Sequence, residues 1–278
     1  MVTVREALAD ATRRLTFASD TPRLDAELLL ARAMDTTREA LLLNRMDAEA
    51  PLAFELLLDR RTRGEPVAYI TGTRAFWTIE LKVGPGVLIP RPDSETLIEA
   101  AVAHFAEQPP GTVLDLGTGP GTLLLAALAQ WPDARGLGID ASEVALAYAR
   151  ENADALGLAG RARFQAGDWA KDLHGQFDLI LCNPPYVERG ADLPRDVADW
   201  EPHQALFAAA DGLREIRRIA PDLPRLLAPG GLACIEIGAG QAEAASALFE
   251  ARGFAVAPHR DLGGHVRCLA LTLCDSAP

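Results

Sequence analysis

The sequence predicts an α/β protein in which a doubly wound, mostly parallel sheet follows a small helical bundle. From residue 112 onward, short apolar strands alternate with helical segments, a pattern typical of parallel sheets with right-handed crossovers. Residues 3 to 63 instead form a series of helical segments separated by short breaks. The length of 278 residues exceeds the usual domain size of roughly 100 to 200 residues, which favours two domains.

Composition excludes several classes of protein. The net charge is −12 with a pI near 4.9, and beyond residue 75 there are 27 acidic against 16 basic side chains. Proteins that bind nucleic-acid phosphates usually present a basic face, so we expect no direct nucleic-acid specificity. The sequence has no signal-peptide pattern and no apolar run near 18 residues, which predicts a soluble cytoplasmic protein without membrane contact.

The cysteines and histidines suggest neither disulfides nor metal ligands. The four cysteines lie mostly in apolar, strand-like runs without C-x-x-C spacing, and the five histidines form no ligand pattern. We therefore expect buried thiols and no metal site.

Residues 1–75 are predicted to form the helical domain. Thr21-Pro22 places a capping hydroxyl before a proline at the first helical position, and Pro51 opens a helix that runs toward Gly64. No cluster of titratable side chains occurs in this region. We expect it to bind or position a partner rather than to carry out chemistry.

Residues 76–90 are predicted to form a β-hairpin that connects this domain to a catalytic domain at residues 91–278. Ile79, Leu81 and Val83 alternate with polar residues as far as Gly84-Pro85-Gly86, and Val87–Ile89 then supplies a returning strand.

The catalytic domain is predicted to contain a seven-stranded sheet. Its last two strands are separated by about nine residues, too few for a parallel crossover, so the last strand should run antiparallel. This architecture is typical of Rossmann-like methyltransferases, whereas dinucleotide dehydrogenases usually keep every strand parallel. The predicted strands are Thr112–Leu116, Gly136–Asp140, Ala162–Ala166, Phe177–Cys182, Leu232–Ile237, Phe254–Ala257 and Arg267–Leu273.

A glycine-rich loop follows the first strand, where a doubly wound sheet binds its cofactor. The third glycine comes one residue earlier than in the dinucleotide pattern G-x-G-x-x-G, which favours a cofactor without a pyrophosphate, S-adenosylmethionine. Asp140 ends the second strand, where a carboxylate can accept ribose hydroxyls, and Asp168-Trp169 after the third strand offers a polar group and a ring to adenine. The loop residues of this predicted site are Gly117, Thr118, Gly119, Pro120 and Gly121.

Asn183-Pro184-Pro185-Tyr186 directly follows the apolar strand Phe177–Cys182. Because the prolines lack N–H groups and fix the backbone, the carbonyls of Asn183 and Pro184 have no neighbouring donor to occupy them. Together with the Asn183 side-chain oxygen and the Tyr186 ring, they are suited to hold a planar NH2 group. The stretch predicts a clamp for an amide or an exocyclic amine, with a plain loop as the alternative.

Over nearly its whole length the sequence resembles the release-factor glutamine methyltransferases, the HemK/PrmC family. The N-P-P-Y motif alone is shared with adenine and guanine amine methyltransferases, whereas Val87–Pro92 joined to a helical domain is more specific. The chain departs from the family pattern at Pro120 and at Asp93-Ser94. The segments that carry the resemblance are Gly64–Ile70, Phe76-Trp77, Val87–Pro92, the glycine loop, Asp168-Trp169, Asn183–Tyr186 and Glu201-Pro202.

The resemblance implies methyl transfer from S-adenosylmethionine, which becomes S-adenosylhomocysteine, to a glutamine side-chain nitrogen. That glutamine belongs to the Gly-Gly-Gln motif of class I peptide chain release factors, the implied protein partners. The resemblance further implies that Gly117–Gly121, Asp140, Trp169 and Asn183 line the cofactor and that Asn183–Tyr186 hold the glutamine. Asn183, Pro184 and Tyr186 are then the catalytic residues.

Three alternatives stay open at this point. One is methylation of a glutamine in a ribosomal protein, and another is methylation of an exocyclic amine in DNA or RNA on a flipped base. The third is a non-catalytic scaffold that binds the cofactor, which the intact Asn183 and Tyr186 disfavour.

Overall fold

The computed structural model describes residues 2–188, 190–208 and 211–274. The chain divides into a helical unit, Met1–Thr73 with Leu193–Glu201, and a sheet unit, Arg74–Asp192 with Pro202–Pro278. The segment Leu193–Glu201 groups with the helical unit although it lies beyond strands of the sheet unit in the sequence. No local pattern in the sequence indicates this grouping.

The described helices, in chain order, account for most of the connections between strands. A short 3₁₀ turn, Pro92–Ser94, leads directly into the sixth helix. The helices are α1 Val4–Leu15, α2 Pro22–Ala33, α3 Arg38–Asn44, α4 Ala53–Thr62, α5 Val67–Thr71, α6 Glu95–His104, α7 Thr122–Gln130, α8 Glu143–Ala155, α9 Arg195–Trp200, α10 His203–Leu206, α11 Arg214–Ile219, α12 Leu223–Leu226 and α13 Ala242–Glu250.

The helical unit packs α1 to α5 around an apolar core. A capping box begins α1, in which the Thr3 hydroxyl accepts from Glu6 N at 3.3 Å and Thr3 N donates to the Glu6 carboxylate at 2.8 Å. The apolar side chains that meet in the core include Leu8, Leu15, Leu29, Leu30, Leu41, Phe54 and Leu58.

The sheet unit contains the predicted seven-stranded sheet, and the antiparallel last strand is confirmed. In spatial order the strands run β5-β4-β3-β6-β7-β9-β8, where β9 pairs antiparallel with both neighbours and the first five strands pair in parallel. Four of the strands are longer than predicted: β4 begins at Arg135, β7 at Leu227 and β9 at Val266, and β8 continues to Arg260. The strands are β3 Thr112–Leu116, β4 Arg135–Asp140, β5 Ala162–Ala166, β6 Phe177–Cys182, β7 Leu227–Glu236, β8 Phe254–Arg260 and β9 Val266–Leu273.

Helices cover both faces of this sheet. Successive residues of a strand point to opposite faces, so Leu179 and Leu181 of β6 join one core while Ile180 and Cys182 join the other. Both faces are therefore buried, and polar groups reach solvent at the strand ends. That arrangement leaves the carboxyl edge of the parallel strands as the place for a site.

The predicted hairpin at residues 76–90 is wrong in its pairing. The two-stranded sheet consists of β1 Thr73–Phe76 and β2 Ile79–Lys82, joined by Trp77 and Thr78, while Val87–Ile89 form no strand. Ile79 and Leu81 are buried as their alternation predicts, but their partner strand precedes them in the sequence.

No helix in the part of the chain that the structure describes is long and apolar enough to cross a membrane.

Candidate active site

A cavity of about 740 Å³ opens at the carboxyl edge of the parallel strands. Its size is within the range of small-molecule sites, roughly 300 to 1,000 Å³. The predicted site residues that line it are Gly117, Thr118, Gly119, Pro120, Asp140, Asp168, Trp169, Asn183 and Pro185. Gly121, Pro184 and Tyr186 lie next to these residues in the chain but do not line the cavity.

The glycine loop requires backbone conformations that other residues rarely adopt. Gly117, Gly119 and Gly121 have φ values of 75°, 55° and 88°. A Cβ at Gly117 would lie 3.0 Å from the Trp169 ring, and a Cβ at Gly121 would lie 2.7 Å from Leu125 Cδ1. Gly117 therefore allows the tryptophan to approach the loop, while Gly121 allows α7 to begin close behind it.

Asp115 at the end of β3 supplies a buried acceptor to the cavity. Its Oδ2 accepts from the Thr118 hydroxyl at 2.7 Å and from Leu124 N at 3.2 Å, whereas Oδ1 has no hydrogen-bond partner among the described residues. Burial raises the pKa of Asp115 to about 7. An unpaired buried carboxylate oxygen fits a cationic group on a ligand.

Backbone amides orient the Asp140 carboxylate. Gly119 N donates to Oδ2 and Ser142 N donates to Oδ1, both at 2.8 Å, and burial raises the pKa of this carboxyl. Each oxygen keeps a further lone pair for a ligand, which fits the hydroxyl pair of a ribose.

Trp169 and Asp168 are held by two residues of α11 that the sequence analysis missed. Trp169 Nε1 donates to Glu215 Oε2 at 2.8 Å, and Arg218 Nη1 donates to the same oxygen at 2.7 Å. Arg218 Nη2 also donates to both oxygens of Asp168, at 2.6 and 2.7 Å. These partners lie 46 and 50 residues further along the chain, so no local motif indicates them.

The acceptors of the predicted clamp receive no hydrogen bond from the part of the chain that the structure describes. The Asn183 side chain donates through Nδ2 to Ser94 Oγ at 3.0 Å, which leaves Oδ1 as its acceptor. Within the described residues, no donor reaches Oδ1 or the main-chain oxygens of Asn183 and Pro184. Ser94, which is only 2% exposed, is a third residue that the sequence analysis did not assign to the site.

One hydrogen bond holds the Tyr186 carbonyl, and two glycines leave room for this residue. Its carbonyl accepts from Gln241 Nε2 at 3.2 Å. A Cβ at Gly212 would lie 2.4 Å from that same oxygen, and a Cβ at Gly238 would lie 3.2 Å from the Tyr186 ring. Burial, followed by the charge of Glu236, raises the pKa of the tyrosine hydroxyl, so it stays protonated and available as a donor.

Glu236 ends β7 directly beside this hydroxyl and is fully buried. The hydroxyls of Ser94 and Tyr186 face its carboxylate closely enough to favour the charged form, but neither oxygen receives a hydrogen bond of regular geometry among the described residues. Burial outweighs these contacts and raises the pKa of Glu236 to about 7. An acid inside the apolar run Leu232–Ile237 was the sequence signal that could have indicated it.

The residues around the cavity fit S-adenosylmethionine. The glycine loop permits close approach, the Asp115 oxygen fits the cationic end of the methionine moiety, and Asp140 fits the ribose. No group of three or more metal-ligating side chains occurs in the ranges that the structure describes.

The sheet unit is similar to known methyltransferases in sequence and in fold. Residues 108–244 match the family model of a methyltransferase domain. The fold resembles the hMettl16 catalytic domain, with a TM-score of 0.56 and 16% identity over 71% of this chain and 77% of that one. It also resembles a methyltransferase from Pyrococcus furiosus, with a TM-score of 0.51 and 17% identity over 71% and 90%. The sheet unit is that of an S-adenosylmethionine-dependent methyltransferase.

Sequence relatives then identify the family. Residues 6–72 match the model of the PrmC N-terminal domain. The release factor glutamine methyltransferase of Rhodospirillum rubrum is 44% identical over 89% of this chain and 78% of its own length. That of Caulobacter vibrioides is 42% identical over 96% and 95%, and that of Vibrio cholerae is 40% identical over the same shares. The chain belongs to the release factor glutamine methyltransferase family.

Proposed function

We propose that this protein transfers a methyl group from S-adenosylmethionine to the side-chain amide nitrogen of the glutamine in the Gly-Gly-Gln motif of class I release factors. S-adenosylhomocysteine is the second product. The names of the family members support the substrate. The observation that carries the proposal is that no donor in the described ranges reaches the acceptors of Asn183 and Pro184, which suits a carboxamide NH2 group.

The substrate amide explains why acceptors are needed. Its nitrogen is a weak nucleophile because the lone pair is delocalised into the carbonyl. S-adenosylmethionine, when bound, supplies an electrophilic methyl group on sulfur. Asn183 Oδ1 and the Pro184 carbonyl accept the two N–H groups, and they stabilise the positive charge that develops on the nitrogen during transfer. These hydrogen bonds strengthen in the transition state and therefore raise the rate rather than only the affinity.

Orientation supplies the remaining acceleration. The two prolines hold the acceptors rigidly, and the Tyr186 ring offers a flat surface to the amide plane. Alignment of nitrogen, methyl carbon and sulfur can contribute roughly 7 to 11 kcal/mol in favourable systems. The methylated nitrogen is acidic enough to release its proton to water or to a nearby carbonyl, so no strong base is required.

The cofactor is held by groups whose positions do not depend on the substrate. Asp140 would accept the ribose hydroxyls, Asp115 would hold the cationic amino group, and Trp169 with Asp168 would border the adenine. Pro120 removes one amide from the loop, but its carbonyl is fixed by Asn152 Nδ2 at 2.9 Å. That side chain also donates to Lys82 O at 3.1 Å, so the loop is braced against the end of β2.

The helical domain, residues 1–75, contributes to binding of the release factor in this proposal, and residues 91–278 carry the chemistry. The match of residues 6–72 to the PrmC N-terminal domain supports the binding role of the helical domain. Because release factors act in translation, the protein works in the cytoplasm.

Replacement of the clamp asparagine tests the proposal. Asn183→Ala should abolish methylation of a release factor, because one of the two acceptors is lost, while the Kd for S-adenosylmethionine measured by calorimetry should change modestly. Asn44→Ala is the matched control, since Asn44 is exposed at the end of α3. Near-normal turnover by Asn183→Ala contradicts the clamp.

A second assay tests the substrate. The protein is incubated with methyl-labelled cofactor and, separately, with a release factor, ribosomal proteins or RNA. Label should enter only the release factor, and it should disappear when the motif glutamine is replaced by alanine. Label in ribosomal protein or RNA instead would replace the proposed function by one of these substrates.

A further inference from the structure

We infer that Glu236 is a positioning residue, which acts through Ser94 to determine which way the Asn183 carboxamide faces. The inference deepens the proposed function and rests on it, because the direction of that carboxamide matters only if Asn183 must accept a hydrogen bond from the substrate.

The location of Glu236 is the first observation. Glu236 has no exposed surface and ends β7, the strand that pairs with β6 just before Asn183, with Cys182 opposite Ile235. A buried carboxylate without hydrogen bonds is costly and rarely kept without a reason. The hydroxyls of Ser94 and Tyr186 are the neutral groups that face it.

Among the described residues, no basic side chain forms an ion pair with Glu236. Arg267 is near, but it is paired with Asp93 at 3.2 Å and with Asp261 at 3.1 Å. Asp93 and the thiols of Cys182 and Cys268 complete the titratable surroundings. The donors that face the Glu236 carboxyl are therefore the hydroxyls of Ser94 and Tyr186 rather than a cation.

The hydroxyl of Ser94 links Glu236 to the side chain of Asn183. It has one proton, and its oxygen already accepts from Asn183 Nδ2 at 3.0 Å. The carboxylate gives that proton an acceptor on the side away from Asn183. Without the carboxylate, the hydroxyl is free to turn and donate to Asn183 Oδ1. The carboxamide would then turn round and present its NH2 group, which repels the NH2 group of the substrate.

Nuclear magnetic resonance tests this orientation without any methyl transfer. The chain has only three asparagines, Asn44, Asn152 and Asn183, so selective ¹⁵N-asparagine labelling yields three side-chain NH2 signals. The signal lost in Asn183→Asp is that of Asn183. In the wild type we expect it to be single and protected from exchange. In Glu236→Gln the new NH2 group can donate to the Ser94 oxygen in place of Asn183 Nδ2, so we expect the signal to shift and lose that protection. An unchanged signal overturns the inference.

Asp178→Asn is the matched control. It makes the same chemical change at the opposite end of the sheet, where Asp178 accepts from the backbone amides of Gly111 and Thr112 at 2.9 and 2.8 Å. The Asn183 signal should be identical to that of the wild type in this variant. A shift as large as that of Glu236→Gln would mean that the signal reports general destabilisation, and it would overturn the inference.

Kinetics with a release factor test the consequence. Glu236→Gln and Ser94→Ala should each lower kcat about tenfold, roughly the effect of one hydrogen bond, with little change in the Kd of the cofactor. The double variant should be no slower than Ser94→Ala, because both changes interrupt one path. Ser94→Thr should recover most of the turnover that Ser94→Ala loses. Additive losses, or wild-type turnover by Ser94→Ala, overturn the inference.

The resonance experiment and the kinetic experiment distinguish failure of the inference from failure of the proposed function. If the wild type fails to methylate a release factor, the proposed function fails. The resonance of Asn183 still shows whether Glu236 sets its orientation.

Discussion

Arg218 illustrates how a single side chain can determine the shape of the proposed adenine subsite. Trp169 has a φ of 54°, which is unfavourable for a bulky residue, so other contacts must hold it. Glu215 supplies one such contact, and Arg218 supports both Glu215 and Asp168. The position of the ring therefore depends on a guanidinium group from α11.

Arg218→Ala should weaken binding of S-adenosylmethionine about tenfold, because charge-assisted hydrogen bonds to two carboxylates are lost. Calorimetric titration measures the Kd. Arg217→Ala is the matched control, since Arg217 is on the same helix but pairs with Asp211 at the surface. If both variants bind S-adenosylmethionine with the same Kd, Arg218 does not contribute to the adenine subsite.

Single residues also mark what the sequence can and cannot reveal. The acceptors at Asn183 and Pro184 follow from the covalent structure of proline, which is visible in the printed chain. Ser94 and Glu236 come from two other elements, and only the folded sheet brings them to Asn183. Local chemistry indicates the groups that are proposed to touch ligands, but not the more distant groups that pack against them.

At the scale of elements, the strands of the large sheet were predictable and the hairpin was not. Parallel strands that are buried on both faces consist of continuous apolar runs, and such runs can be found in the sequence. The true hairpin turn contains Trp77 with a φ of 53°, a residue that gives no turn signal. Glu95 accepts from Trp77 N at 2.9 Å and Gln130 accepts from its ring at 3.2 Å. Long-range contacts thus stabilise a turn where the sequence suggested none.

Helix α9 illustrates a long-range pairing of the same kind within the helical unit. Arg61 of α4 is 4% exposed, and its guanidinium contacts Asp25 of α2 at 2.7 Å and Asp196 of α9 at 3.3 Å. It also donates to Glu65 O at 3.2 Å. One arginine therefore connects three helices.

Arg61→Met should destabilise the helical unit by about 3 to 5 kcal/mol, because Asp25 would remain buried without its cation. Hydrogen–deuterium exchange of peptides from α2 and α4 measures the loss of protection. Arg63→Met is the control, since Arg63 is exposed and its side chain makes no ion pair among the described residues. If both variants exchange alike, the buried ion pair is not what holds these helices.

At the scale of the whole molecule, the sheet unit keeps two buried carboxyls, Asp115 and Glu236, whose pKa values are raised to about 7. Asp115 lines the cavity, and Glu236 lies beside Tyr186 of the predicted clamp. Both sites therefore reduce the stability of the fold at neutral pH, as functional sites often do.

This loss of stability depends on pH because the folded and unfolded states bind different numbers of protons. Between about pH 4 and pH 7 the folded protein holds a proton on Glu236 that the unfolded chain has released, so the free energy of unfolding falls as the pH rises through that window. For Glu236 the shift from 4.5 to about 7 corresponds to at most about 3 kcal/mol.

Denaturant unfolding of the wild type and of Glu236→Gln at pH 5 and pH 8 measures this contribution. Glutamine does not titrate, so the variant should gain stability relative to the wild type on going from pH 5 to pH 8, by up to about 3 kcal/mol. Glu243→Gln, which alters an exposed carboxyl in the first turn of α13, should show no such change. A difference between wild type and Glu236→Gln that is equal at both pH values would mean that Glu236 ionises freely in the folded protein. Burial between Ser94 and Tyr186 would then not raise the pKa of its carboxyl.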